Sequence, residues 1–108
     1  MLTARRDGAV LELSADSAGV GQLAQALTAA PGAFCQIAVG GDGFVAIRVK
    51  VKAGSSAVKI VRIGDVIHIN GSSAKMAELA AALASLPANF AGHAAVDGAS
   101  DPLVVCPA

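Results

Sequence analysis

The stretch LTAAPGAF, Leu27 to Phe34, is echoed 56 residues later by LASLPANF, Leu83 to Phe90. At that shift Val10 falls on Val66, Ser17 on Ser73, Leu23 on Leu79, Leu27 on Leu83, Pro31 on Pro87 and Phe34 on Phe90. Alanine-rich sequence inflates such matches. The Leu, Pro and Phe matches carry more weight, because each holds the same place in the same local order of signals. A chain of 108 residues is the size of one domain. The expectation is therefore one domain over residues 1–108, with an internal repeat at about 10–38 and 66–94.

Each copy begins with a strand, Val10 to Leu13 and Val66 to Ile69, in which apolar and polar residues alternate. Asp16 or Ser17, and Ser72 or Ser73, follow as helix N-caps. Val20, Leu23, Ala24, Leu27 and Ala30 then recur at helical spacing, as do Met76, Leu79, Ala80, Leu83 and Leu86. Pro31 and Pro87 stop the helices, since proline disfavours helical geometry in the residue before it. Phe34 and Phe90 open the returning strands.

Between the copies lie two more strands, Phe44 to Lys52 and Val58 to Ile63. Gly40-Gly41-Asp42-Gly43 suits a tight reversal, Ala53-Gly54-Ser55-Ser56 a looser one and Gly64-Asp65 a two-residue hairpin. A closing strand runs from Leu103 to Cys106. The order is strand, helix, four strands, helix, two strands. This pattern predicts an α+β fold, a two-layer sandwich in which two helices cover one face of a mostly antiparallel sheet of about seven strands, the halves related by a pseudo-twofold axis. Neither strand-helix-strand unit could bury its own apolar stripe alone, which accounts for the repeated phrase.

Hydrophobic residues make up 55% of the chain, which argues against disorder. No apolar run reaches the roughly 18 residues of a membrane span, and no signal-peptide pattern follows Met1. The chain reads as cytoplasmic, without membrane contact. Cys35 and Cys106 lack Cys-x-x-Cys spacing, so they are expected to be reduced thiols outside any zinc or redox motif.

Motifs for catalysis or cofactor binding are lacking in the residue pattern. Gly40-Gly41-Asp42-Gly43 precedes a strand, whereas a dinucleotide loop precedes a helix. Asn70-Gly71-Ser72-Ser73 enters a helix but has neither the lysine nor the spacing of a P-loop, and reads as a cap. His68 and His93 have no Glu or Cys at ligand spacing. No cofactor, metal or catalytic residue is expected.

One charge pattern stands out. Arg48, Lys50 and Lys52 alternate with Ile47, Val49 and Val51, so they point to one sheet face. The span Phe44 to Gly64 holds five basic residues and no acidic one, whereas the rest of the chain holds three basic and eight acidic. Such a face could meet an acidic protein surface or nucleic acid. With no Trp or Tyr, and with three Phe residues that read as core, base stacking has no platform, so protein is the favoured partner. The bland alternative is a solvated outer face.

The run FVAIRVKVKAGSSAVKIVRIGDVIHINGSSAKMAELAAALASL, a histidine-bearing strand and the ending Ser100-Asp101-Pro102-Leu103-Val104-Val105 together resemble the immunity protein 32 family of bacterial polymorphic toxin systems. The likeness covers roughly Phe44 to Val105 and is sharpest at that ending. Family members carry further histidine and aromatic residues where this chain has Ala94 and Ala95, which leaves His93 as the one such residue carried over. The resemblance implies a small non-enzymatic protein that neutralises a cognate toxin by occlusion. The surface expected to carry the contact comprises Arg48, Lys50 and Lys52, with His68, Asn70 and His93 as neighbours. A homodimer joined through an unpaired edge strand is the alternative, and nucleic-acid binding the less favoured one.

Overall fold

Alternation of burial along each strand sorts its residues into an inner and an outer face, and this alternation organises the molecule. The computed structural model describes residues 2–7, 10–41, 43–54, 58–89 and 103–108. Among these, the elements run β1 (Leu2–Asp7), β2 (Val10–Ala15), α1 (Ser17–Leu27), β3 (Phe34–Ala38), β4 (Gly40–Gly41), β5 (Ala46–Lys52), β6 (Lys59–Ile63), β7 (Val66–Ser72), α2 (Ser73–Ala82), β8 (Ala88–Asn89) and β9 (Leu103–Pro107). The fold is α+β, as expected, with two helices and mixed sheets.

The strands form two sheets where one was expected. The first has the order β4-β1-β2-β9-β8 and the second β3-β5-β7-β6. Antiparallel pairing was expected to dominate; four of the seven described pairings are antiparallel, while β1–β4, β2–β9 and β5–β7 are parallel. The expected reversal at Ala53 to Ser56 does not pair its flanking strands, because β7 lies between β5 and β6. The physical reason sits at the next turn. Gly64, at φ 62, closes a two-residue hairpin that fixes Ile63 opposite Val66, so β7 must adjoin β6. Its apolar alternation, Ile67 and Ile69, then places it at the sheet centre with β5 on its other side.

Gly40 and Gly41 do not form a simple reversal either. They pair with Thr3 and Ala4 of β1, a strand not anticipated from the sequence, and so tie the edges of the two sheets together. Gly41 adopts φ 112, and a Cβ there would overlap the Ala4 carbonyl oxygen. No other residue fits that position without moving backbone.

Asp16 caps α1 as expected, its Oδ1 accepting the Gly19 amide at 2.7 Å. Thr28 ends the helix, its hydroxyl donating to the Ala24 carbonyl at 2.9 Å. The helix therefore stops before Pro31 is reached. α2 starts from extended backbone at Ser72 and ends before Leu83. The two helices pack on each other, α1 also against β2, β3 and β5, and α2 against β5 and β7.

One hydrophobic core joins both sheets and both helices. It contains Leu11 and Leu13 from β2, Leu23 and Leu27 from α1, Ile47 and Val49 from β5, Ile67 and Ile69 from β7, Met76 and Leu79 from α2, and Leu103 and Val105 from β9. Full burial of each such side chain is worth roughly 1.5–3 kcal/mol. Gly71 of β7 lies against this core, and a Cβ on it would come within 2.8 Å of Val58 Cγ2 and 3.3 Å of Met76 Sδ. The Asn70-Gly71 pair is thus a close-packing device on the way into α2.

Candidate functional site

Parity along the second sheet turns Ile47, Val49 and Val51 inward and leaves Arg48, Lys50 and Lys52 outside. Strand register then decides what stands beside them. Arg48 is the Cα partner of His68, and Lys50 of Asn70. The same rows continue into Val61 and Lys59 of β6 and into Gln36 and Phe34 of β3. Five of the six residues singled out from the sequence therefore share one outer face. The sixth, His93, lies outside the described residues, as do Phe90 and the Ser100-Asp101-Pro102 part of the family-like ending.

The strands of this sheet contain no Asp or Glu. Arg48 is oriented by its neighbour, Nε donating to Gln36 Oε1 at 3.0 Å. Lys50 and Lys52 are exposed, and His68 and Asn70 half-buried. Arg48 and Lys50 lie two residues apart on one strand, about 6.6 Å along it. Repulsion between such neighbours is roughly 0.6 kcal/mol in water, before salt screening. The fold tolerates that much unaided, and an acidic surface docking there would relieve it. The outer face of the first sheet differs. There Arg5 Nη2 is paired with Glu12 Oε1 at 3.1 Å, so its charge is already compensated.

Phe34 overturns part of the sequence argument. Of the two phenylalanines described, Phe44 is in the core at 5% exposure, but Phe34 is 60% exposed on the outer face beside Lys50. The signal was present in the sequence. Ile37 must point inward, and three residues back along a strand the side chain points the other way. Ile63, at 61% exposure, and half-buried Val61 and Val66 add apolar area to the same face. Arginine and aromatic residues beside apolar ones is the composition of protein interfaces.

Other places in the structure carry less chemistry. Cys35 and Cys106 are free thiols on different sheets. Among the described residues, no three of His, Cys, Asp and Glu gather as metal ligands, and no helix is long and apolar enough to cross a membrane. A groove of about 650 Å³ lies between α1 and β3, with no charged residue among the described residues of its walls, and His68 takes no part in it. Compared with known proteins, the chain matches no family model, no curated protein and no solved structure.

Proposed function

We propose that this protein is a non-enzymatic binding module that docks the outer face of its second sheet onto an acidic surface of another protein. The observation that carries this reading is the in-register row of Arg48 with His68 and of Lys50 with Asn70, flanked by Phe34 and Ile63, on strands without a carboxylate. A flat, preformed strand face needs little reordering on binding, and a standard interface takes roughly 800 Å² from each partner. The resemblance over Phe44 to Val105 names the partner class: a bacterial toxin, whose active site the face covers. The protein then acts inside the cell that makes the toxin.

The same reading extends to architecture. We infer that β1-β2-α1-β3-β5 and β6-β7-α2-β8-β9 are two copies of one unit. Four relations support it. The β1–β2 hairpin corresponds to the β6–β7 hairpin, β2–β9 in parallel to β7–β5 in parallel, β9–β8 antiparallel to β5–β3 antiparallel, and the α1–α2 contact to itself. The buried pairs Leu23 and Leu79, Leu27 and Leu83, Leu13 and Ile69 occupy equivalent places. Each sheet then takes its first hairpin from one unit and its last two strands from the other, beneath a shared helical layer.

Co-expression tests the function. Cells carrying the toxin gene next to this reading frame should survive when this protein is present, and should die when Arg48, Lys50 and Lys52 are all replaced by Glu in a variant of unchanged circular dichroism. Survival with the triple variant would remove the basic face from the interface. Exposed Phe34 favours a second reading, single-stranded nucleic acid stacked on that ring between lysines. Its mark would be affinity for oligonucleotides that falls steeply with salt, with no retention of an acidic protein.

A further inference from the structure

The second sheet ends in β3 on one side and in β6 on the other, and the two strands differ. β6 carries exposed Lys59 and Arg62, the kind of side chain that discourages another strand from adding. β3, Phe34–Ala38, has neither charge nor proline. Its hydrogen bonds to β5 follow from the contacts at its ends: the Val51 amide donates to the Ala33 carbonyl, and the Val39 amide to the Val45 carbonyl. Alternation along an antiparallel ladder then assigns the main-chain groups of Cys35 and Ile37 to β5, and turns those of Phe34, Gln36 and Ala38 away from it. None of these outward groups bonds to another described residue. They face the groove of about 650 Å³ whose other wall includes Gln22, Gln25, Thr28 and Ala29.

We propose that the free edge of β3 pairs antiparallel with the same edge of a second copy of this chain, about a twofold axis at Gln36. In that register Gln36 faces its own copy and Phe34 faces Ala38 of the second copy. All the outward amides and carbonyls find partners at once, because positions 34, 36 and 38 are symmetric about 36. The exposed Phe34 ring is set against a small side chain, which gives it cover without a clash. Gln36 keeps its Oε1 on Arg48 and has its amide NH₂ free to reach across the axis. A twofold contact places each surface against itself, so it requires a patch without net charge. The α1 wall and the β3 edge meet that condition, with no ionisable group but the Cys35 thiol. Arg48, which pairs with Gln36, and its copy would stand three strand spacings apart, about 14 Å, and Lys50 and its copy farther still, beyond the roughly 8–10 Å over which salt leaves charges coupled. Two four-stranded sheets become one of eight strands. This pairing uses the strand edge and Phe34, and leaves the Arg48 and Lys50 rows open on the outer face.

Sedimentation of the intact chain across the micromolar range tests it, together with residue-resolved amide exchange. A concentration-dependent dimer is expected. Gln36→Lys, which sets two ammonium groups across the axis, should weaken the dimer by about tenfold or more without altering the circular dichroism. Arg62→Glu, on the other edge, should leave it unchanged. Amides of Phe34, Gln36 and Ala38 should gain protection on dimerisation, whereas those of Cys35 and Ile37 are protected throughout. A monomer at every concentration would overturn the proposal, as would a dimer indifferent to Gln36→Lys, or a monomer that takes up an extended peptide along β3.

Discussion

Cutting the chain between residues 56 and 57 separates strands that are neighbours in both sheets. The cut leaves β1 to β5 on one fragment and β6 to β9 on the other. Two parallel seams then run between fragments: β2–β9 with five residue pairs and β5–β7 with seven. At about one ladder hydrogen bond per pair and a net 0.5–1.5 kcal/mol each, the twelve pairs are worth roughly 6–18 kcal/mol. The whole net stability of a domain this size is roughly 5–15 kcal/mol. Neither fragment should therefore fold as a monomer, and each should give a poorly dispersed amide spectrum with no cooperative thermal transition. An equimolar mixture should recover the spectrum and melting transition of the intact chain. A symmetric homodimer of one fragment would still satisfy the seams, since the two units present matching edges. A folded, monomeric fragment 1–56 would refute the reasoning.

Two glycines should respond to alanine in opposite directions. Gly41→Ala forces a side chain into φ 112 against the Ala4 carbonyl and should cost about 1–3 kcal/mol or more, while Gly21→Ala, in the interior of α1 with open space around its Cβ, should gain up to about 1 kcal/mol. Chemical denaturation of both variants reads the two signs. The two described phenylalanines should likewise separate. Phe44→Ala should destabilise by about 3–5 kcal/mol and Phe34→Ala by no more than about 0.5 kcal/mol, yet only the latter should weaken self-association in sedimentation.

Local features were legible in the sequence wherever the physics is local. Asp16 precedes helically spaced apolar residues, and it caps α1. Gly64-Asp65 between two alternating runs makes the β6–β7 hairpin. The alternation of Arg48, Lys50 and Lys52 with Ile47, Val49 and Val51 fixes the basic face, since parity needs no knowledge of neighbours. Pairing is different. Parity says which face a residue occupies but not which strand stands beside it, and the partners of β2 and β5 were missed for that reason. Leu2–Asp7 was overlooked because only Leu2 and Ala4 of its six residues mark an inner face, with Arg5 and Arg6 adjacent. Phe34 was misplaced by residue type, a weaker guide than its position relative to Ile37.

The register of β2 against β9 bears on how the molecule comes into being. Leu11 is a Cα partner of Leu103, so β2 waits for a strand synthesised about ninety residues later. Loop-closure entropy must be met before that seam returns any stabilisation, and chains dominated by such distant pairings fold slowly. The second sheet draws its strands from residues 34–72, so it can assemble while the first sheet still lacks β8 and β9 on one side of β2. During translation the basic face would thus be in place before β9, and the β2 edge, with Leu11 and Leu13 beneath it, would stay open until β9 left the ribosome.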